Sequence, residues 1–313
     1  DDQGADFGAT GLQGRMHALH HRRPFGHGHA RPGAAVEGAP RRRDGGLGGG
    51  RVAQGRVADD GLGGRIDDRL GRANRWLRFW ADEIAISFDQ PSDELDGTAA
   101  VLTGLPIRRV IGTANRREAA AALGLDANAP TVLALGGSQG SQVLNRLMLE
   151  AASRLTPLER RDWQIIHLTG SAGHRAVQAA YAQAGLRCRV APHLDRMEWA
   201  YALADLAVAR CGASTMAELA RCGVPAVVIP YPYASGHQRD NAKLLESHGA
   251  AVRLEEHDAT PGRLLEQLRR LLADPSQRQQ MRARMAGLAR PDAAEQLASM
   301  IARVARPERH DED

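Results

Sequence analysis

The sequence predicts an α/β protein built on a doubly wound parallel sheet, and three observations carry that prediction. From Pro130 onward, short apolar runs rich in β-branched residues alternate with stretches of helical periodicity. The runs show little polar alternation, as expected of strands covered by helices on both faces. Two of them end in glycine-containing turns that open straight into helices, at Gly136–Ser141 and Arg210–Gly212.

Taken in order, strands are expected at 131–135, 164–169, 187–191, 205–209, 226–229 and 251–254. The helices between them are expected at 142–155, 173–184, 197–202, 214–222 and 241–247, and three more at 263–273, 276–288 and 293–305 close the domain. Upstream, residues 72–80 read as an amphipathic helix, while 83–87 and 99–102 read as short strands. Thr103–Arg108 is then a turn leading toward a hinge.

Residues 1–70 differ in kind. They hold half of the chain's glycines, many arginines and five of its twelve histidines, with neither strand alternation nor helical periodicity. Two readings fit: a disordered basic arm able to bind RNA or anionic lipid, or an out-of-frame translation of GC-rich DNA. The expected organisation is therefore a low-complexity segment at 1–70, a short α/β segment with a hinge at 71–112, the principal domain at 113–305 and a frayed tail at 306–313.

Composition narrows the function classes. The net charge of +4 is modest and gives no reason to expect a nucleic-acid partner. Lys243 is the only lysine among the 41 basic residues, a skew typical of GC-rich coding sequence. Cys188, Cys211 and Cys222 show no CxxC spacing, which reads as a reduced cytoplasmic protein. No stretch reaches the apolar length of a membrane span. The His17, His20, His21, His27 and His29 cluster has no metal-ligand geometry, and no Ser-His-Asp or Cys-His arrangement is legible.

The two glycine turns suit a nucleotide diphosphate. Gly136, Gly137 and Gly140 precede a helix whose first N–H groups are free and whose dipole is positive there, which favours a phosphate. The competing explanation is a tight strand-to-helix turn needing glycine only for packing. In the second turn Gly212 permits close approach, and Ser214 or Thr215 can cap the helix or meet a phosphate. Glu218, one turn further on, can accept two hydrogen bonds from a ribose diol. It also fits a capping box with Thr215. Pro230–Asn241 reads as a stiff loop at the ligand-binding edge, with His237, Gln238 and Asn241 suited to sugar hydroxyls. His237 reads equally well as an ordinary surface residue, while His167 and His193 read as structural.

In sequence order, TGLPIR at 103–108, GGSQGSQVLN at 136–145, HLTG at 167–170 and HLDRMEWAYALAD at 193–205 form one pattern. RCGASTMAELARCGVPAVVIPYP at 210–232, HQRDNA at 237–242 and LLESHGAA at 244–251 complete it. From about Gly71 to Ala305 the chain resembles the MurG family of peptidoglycan glycosyltransferases. The resemblance implies a GT-B fold, with residues 71–112 a remnant of a Rossmann-like acceptor domain and its hinge. It implies transfer of N-acetylglucosamine from UDP-N-acetylglucosamine to the lipid-linked muramyl-pentapeptide acceptor, lipid I, at the cytoplasmic face of the membrane. No cofactor and no metal are implied.

Carried over residue by residue, the resemblance places Arg108 and Ser138 on the nucleotide diphosphate and the Leu194 backbone on the uracil. It places Ala213, Ser214 and Thr215 at the phosphates and sugar, Glu218 on the ribose, and Gln238 with His237 on the sugar hydroxyls. The family often carries Leu at the place of Ser214 and Gln at that of His237. Its opening GGTGGH-like turn and its HEQN-like segment are not found; Gly64–Leu70 stands in place of the latter. The abrupt start of the match favours the out-of-frame reading of residues 1–70, leaves the catalytic base unassigned, and leaves donor binding as the main expectation. The alternatives are a non-catalytic UDP-sugar-binding subunit that needs a partner acceptor domain, and another GT-B glycosyltransferase or epimerase.

Overall fold

The protein is described by a computed structural model covering residues 52–54, 81–89, 99–233 and 237–305. The low-complexity reading of 1–70 (apart from 52–54), the helix expected at 72–80 and the tail at 306–313 lie outside the described residues. The described residues belong to one compact unit, Leu47–Asp313.

A small parallel sheet comes first: β1 (Val52–Gln54), β2 (Glu83–Ile86) and β3 (Ala99–Leu102), in that order. β1 falls in the segment that carries no strand signal. At three residues it is too short to show a period, and only its backbone pairing to β2 defines it.

The principal domain alternates as expected. It contains α1 (Arg116–Leu123), β4 (Thr131–Leu135), α2 (Gln142–Ser153), α3 (Pro157–Asp162), β5 (Gln164–Leu168), α4 (His174–Gln183) and β6 (Arg187–Ala191). There follow α5 (Met197–Leu203), β7 (Leu206–Ala209), α6 (Ala213–Cys222), β8 (Ala226–Val228), α7 (His237–Ser247) and β9 (Ala251–Arg253). Three helices close it: α8 (Pro261–Ala273), α9 (Pro275–Gly287) and α10 (Ala293–Val304). The six strands are all parallel, in the order β6-β5-β4-β7-β8-β9.

The pleat sends alternate residues to opposite faces, so each strand feeds two cores. Leu133 and Leu135 join Ala207, Ala209 and Val228 under α1, α5, α6 and α7. Val132 and Ala134 join Leu206, Val208 and Val227 under α2, α4 and α8. The helices supply matching stripes. In α2, Leu144, Leu147, Met148 and Ala151 are buried at helical spacing, and α8 buries Leu264, Leu265, Leu268, Leu271 and Leu272.

Three differences from the sequence reading have local causes. α1 is alanine-rich and short, so it lacks a marked apolar stripe; its signals are the Asn115 cap, accepting from Arg117 N–H at 2.8 Å, and Gly124 at φ 69°. α3 spans six residues behind a capping box in which Thr156 and Glu159 exchange hydrogen bonds. α7 begins at His237 rather than Asn241, because Asp240 in its first turn suits the helix dipole. The expected 230–241 loop is shortened accordingly.

α10 returns to the small sheet, where Arg303 grips Glu83 with Nε at 3.2 Å and Nη2 at 2.6 Å. The connecting segment packs against the same end of the domain. A Cβ on Gly104 (φ 82°) would lie 2.4 Å from the Arg290 Cβ, so the hinge passes there only as glycine.

Candidate functional site

The chain winds outward from β4 through β5 to β6 on one side, and from β7 through β8 to β9 on the other. The crevice between β4 and β7 is thus the topological switch point, outside whose carboxyl ends such sheets bind ligands. Both glycine turns lie there, one after β4 and one after β7.

The first turn is held tightly. Gly140 donates to the Gly137 carbonyl at 3.0 Å, and Ser141 caps α2 by accepting from Leu144 N–H at 3.3 Å. Gly140 has φ 73°, and a Cβ there would sit 2.4 Å from the Thr169 carbonyl. Gly136 is equally closed, with Ser141 N at 2.4 Å from its imagined Cβ, whereas Gly137 (φ 83°) has nothing within 4 Å. Packing therefore explains Gly136 and Gly140. Gly137 and Ser138 face outward, both exposed.

The Thr169–Gly170 turn that meets Gly140 is fixed by a buried relay. Asn145 Nδ2 donates to the Thr169 carbonyl at 2.9 Å, and its Oδ1 lies 3.0 Å from His167 Nε2. An amide oxygen can only accept, so Nε2 carries the proton, and Nδ1 accepts from the Tyr181 hydroxyl at 2.9 Å. Burial pulls the His167 pKa down to about 4, so the ring stays neutral. His167 is structural, as its place in a strand suggested. His193 is instead exposed, its Nε2 4.0 Å from Asp195 Oδ1.

The second turn corrects the capping expectation. The N-cap of α6 is Gly212, in extended backbone with no side-chain cap, so Ser214 and Thr215 lie inside the helix. The Thr215–Glu218 capping box is therefore not formed. The first bond within the helix comes from Met216 N–H to the Gly212 carbonyl, at 3.0 Å. The N–H groups of Ala213, Ser214 and Thr215 precede it and have no acceptor within the helix. Ser214 is exposed, while Ala213 and Thr215 are half-buried.

Buried Arg210 joins the two turns. Its Nε and Nη2 donate to Ser141 Oγ at 3.1 and 3.0 Å, and its Nη1 donates to the Ile229 carbonyl at 3.1 Å. Nη2 also pairs with Glu256, and the guanidinium lies 5.4 Å from the Tyr231 ring. Its charge is thus met inside the fold.

Gln238 and Asn241 also turn inward. Gln238 Oε1 accepts from Cys211 N–H at 3.2 Å and from Tyr231 N–H at 3.0 Å. Asn241, 2% exposed, donates to the Cys211 carbonyl at 2.9 Å. Both polar groups of the Cys211 backbone are thereby satisfied just ahead of α6. His237 opens α7 and is 4% exposed, not a surface residue.

The opposite flank is built from the hinge and α5. Arg108 is exposed and donates from Nη1 to the Asp195 carbonyl at 2.8 Å, tying the hinge to the loop that holds half-buried Leu194. Arg196 pairs with buried Glu198 and lies over Trp199 at 4.5 Å. Burial is the largest influence on the Glu198 carboxyl and works to raise it, but the Arg196 hydrogen bond, the backbone hydrogen bond and the Arg196 and Arg108 charges together hold its pKa below the ordinary value. Tyr201 Oη donates to Glu218 Oε2 at 2.7 Å. Tyr201, Arg210 and Asn145 are the partners that the sequence reading missed. Tyr201 stands within the HLDRMEWAYALAD segment and Arg210 opens the second turn, but no spacing announces their contacts.

Residues 131–297, more than half of the chain, match the family model of the glycosyltransferase family 28 C-terminal domain. The chain belongs to glycosyltransferase family 28. Two curated relatives carry the name UDP-N-acetylglucosamine--N-acetylmuramyl-(pentapeptide) pyrophosphoryl-undecaprenol N-acetylglucosamine transferase. The protein from Halothermothrix orenii is 35% identical over 231 residues, 71% of this chain and 62% of the relative. The protein from Sorangium cellulosum is 40% identical over 228 residues, 72% of this chain and 54% of the relative. The crystal structure of Acinetobacter baumannii MurG matches with a TM-score of 0.58 at 30% identity, over 75% of this chain and 64% of that one. The family 28 chain thus spans somewhat more than half the length of these curated relatives, and its principal domain has the GT-B type of architecture.

Proposed function

We propose that this chain binds UDP-N-acetylglucosamine as a glycosyl donor, for transfer to a lipid-linked muramyl-pentapeptide acceptor. The observation that carries the reading is the switch-point crevice, where the uncapped N-terminus of α6 and the glycine turn before α2 stand side by side. The N–H groups of Ala213, Ser214 and Thr215, with Ser138 and Arg108, take the diphosphate. Glu218 takes the ribose hydroxyls, the Leu194 backbone takes the uracil and Gln238 Nε2 takes a sugar hydroxyl. His237 is left out of this set because it is buried.

In the transfer, an acceptor hydroxyl attacks the anomeric carbon and UDP departs with inversion. Negative charge then grows on the diphosphate oxygens, where the fixed amide dipoles stabilise it without reorganising. These residues support donor binding and leaving-group stabilisation, and none of them is assigned the role of general base. The lipid-linked acceptor would place the chain peripherally on the cytoplasmic membrane face; no described helix is long and apolar enough to cross a membrane.

Calorimetric titration of the chain with UDP-N-acetylglucosamine, UDP-glucose and GDP-mannose tests the reading. UDP-N-acetylglucosamine is expected to bind most tightly and GDP-mannose not measurably. Equal affinity for all three, or no binding, removes it.

A further inference from the structure

The Tyr201 hydroxyl donates to Glu218 Oε2 at 2.7 Å. Tyr201 is 2% exposed and belongs to the core cluster shared by α1, α5 and α6, whereas Glu218 is half-buried. The phenol belongs to α5 and the carboxylate to α6, so the contact crosses two helices rather than following one. Burial and the adjacent Glu218 charge both hold the Tyr201 pKa well above its ordinary value, so the group remains a donor at any working pH.

Glutamate on a helix surface ordinarily samples several rotamers, and fixing them costs entropy when a ligand binds. Here a rigid, buried donor selects one orientation before the ligand arrives. It also claims part of Oε2, and so leaves Oε1 and the rest of Oε2 as pure acceptors. A group with that geometry accepts from two adjacent hydroxyls and gains little from a sugar that offers only one.

We propose that Tyr201 is a positioning residue for nucleotide-sugar binding, orienting Glu218 so that the site selects ribose over 2′-deoxyribose. This rests on the donor-binding reading above and adds the source of its sugar discrimination. The phenol touches no ligand; it acts through Glu218.

The test is calorimetric titration of the full chain with UDP and with 2′-deoxy-UDP, for wild type, Tyr201→Phe and Glu218→Ala, with thermal unfolding of each. Wild type is expected to prefer UDP by about tenfold. Tyr201→Phe should reduce the preference to about twofold or less, with most of the loss in UDP affinity. A purely structural role would weaken both ligands alike and leave the ratio untouched, so an unchanged ratio in Tyr201→Phe overturns the inference. Glu218→Ala separates the two levels. If it too leaves the preference intact, or if wild type shows none, the ribose role of Glu218 itself falls. If Tyr201→Phe does not fold, Tyr201→Met serves instead: it fills the buried site with an apolar side chain and removes the hydroxyl. It should lower the ratio as Tyr201→Phe would, and an unchanged ratio again overturns the inference.

Discussion

Arg210 holds the hydroxyl of Ser141 between its Nε and Nη2, at 3.1 and 3.0 Å, and thereby fastens the turn after β4 to the turn after β7. Sixty-nine residues separate the two. The arginine also meets the Ile229 carbonyl and Glu256, so removing it leaves several buried groups without partners. Arg210→Met is expected to cost about 3 kcal/mol or more in urea unfolding, as for other broken buried pairs. It should weaken UDP binding as well, because Ser141 caps the helix that follows the first turn. A loss below about 1 kcal/mol would show that the network contributes little beyond its geometry.

The glycines of the first turn should separate packing from ligand approach. Gly140→Ala forces a methyl group to within 2.4 Å of the Thr169 carbonyl at a φ of 73°, and backbone must move. We expect a loss of more than about 2 kcal/mol in stability. Gly137→Ala has the same hand of backbone but open space around it, so it should lose only about 1 kcal/mol. Its effect should appear in UDP affinity instead, since Gly137 borders the exposed face of the turn. Chemical unfolding and calorimetry on the two variants would read these opposite patterns.

Much of this architecture was legible in the chain, and what was not has a common physical origin. β4 runs over Thr131–Leu135, the residues that its apolar character marks, and the edge strand β6 covers the expected Arg187–Ala191 with exposed arginines alternating along it. The parallel order and both switch-point turns followed from strand–helix alternation. α1 escaped notice because Arg116–Leu123 carries little apolar contrast, although its Asn115 and Gly124 caps were there to be read. The site was legible only as segments. Asn241 donates to the Cys211 carbonyl and Gln238 Oε1 accepts from the Cys211 N–H, because a buried N–H and C=O ahead of α6 must find partners, and no local period shows that. Tyr201 with Glu218, and Arg210 with Ser141, are tertiary pairs that no local period encodes.

His167 gives the fold a distinctive acid response. Its pKa falls from 6.5 to about 4 on burial, so the unfolded chain binds the proton more readily than the folded one. Its contribution is complete above about pH 6.5 and is lost as pH falls toward 4, a total of about 3 kcal/mol. Urea unfolding at pH 7.5 and 4.5 should therefore show a decline that is smaller in His167→Gln by about 2–3 kcal/mol. Equal declines in the two proteins would mean that the ring is protonated within the fold.

Charge on the departing diphosphate is where the proposed mechanism is most exposed to test. The N–H groups of Ala213, Ser214 and Thr215 have no acceptor within α6, and a helix N-terminus needs no ion to carry positive potential. Among the described residues, no group of three or more His, Cys, Asp and Glu side chains is arranged to hold a metal. UDP affinity measured in excess EDTA should therefore stay within about twofold of that in millimolar magnesium, a difference below about 0.5 kcal/mol. A tenfold weakening in EDTA would move the neutralising charge from the helix ends to an ion carried in on the diphosphate. Ala213→Pro, which deletes one of these N–H groups at the first helical position, where proline is tolerated after the extended Gly212, should weaken UDP in both conditions alike.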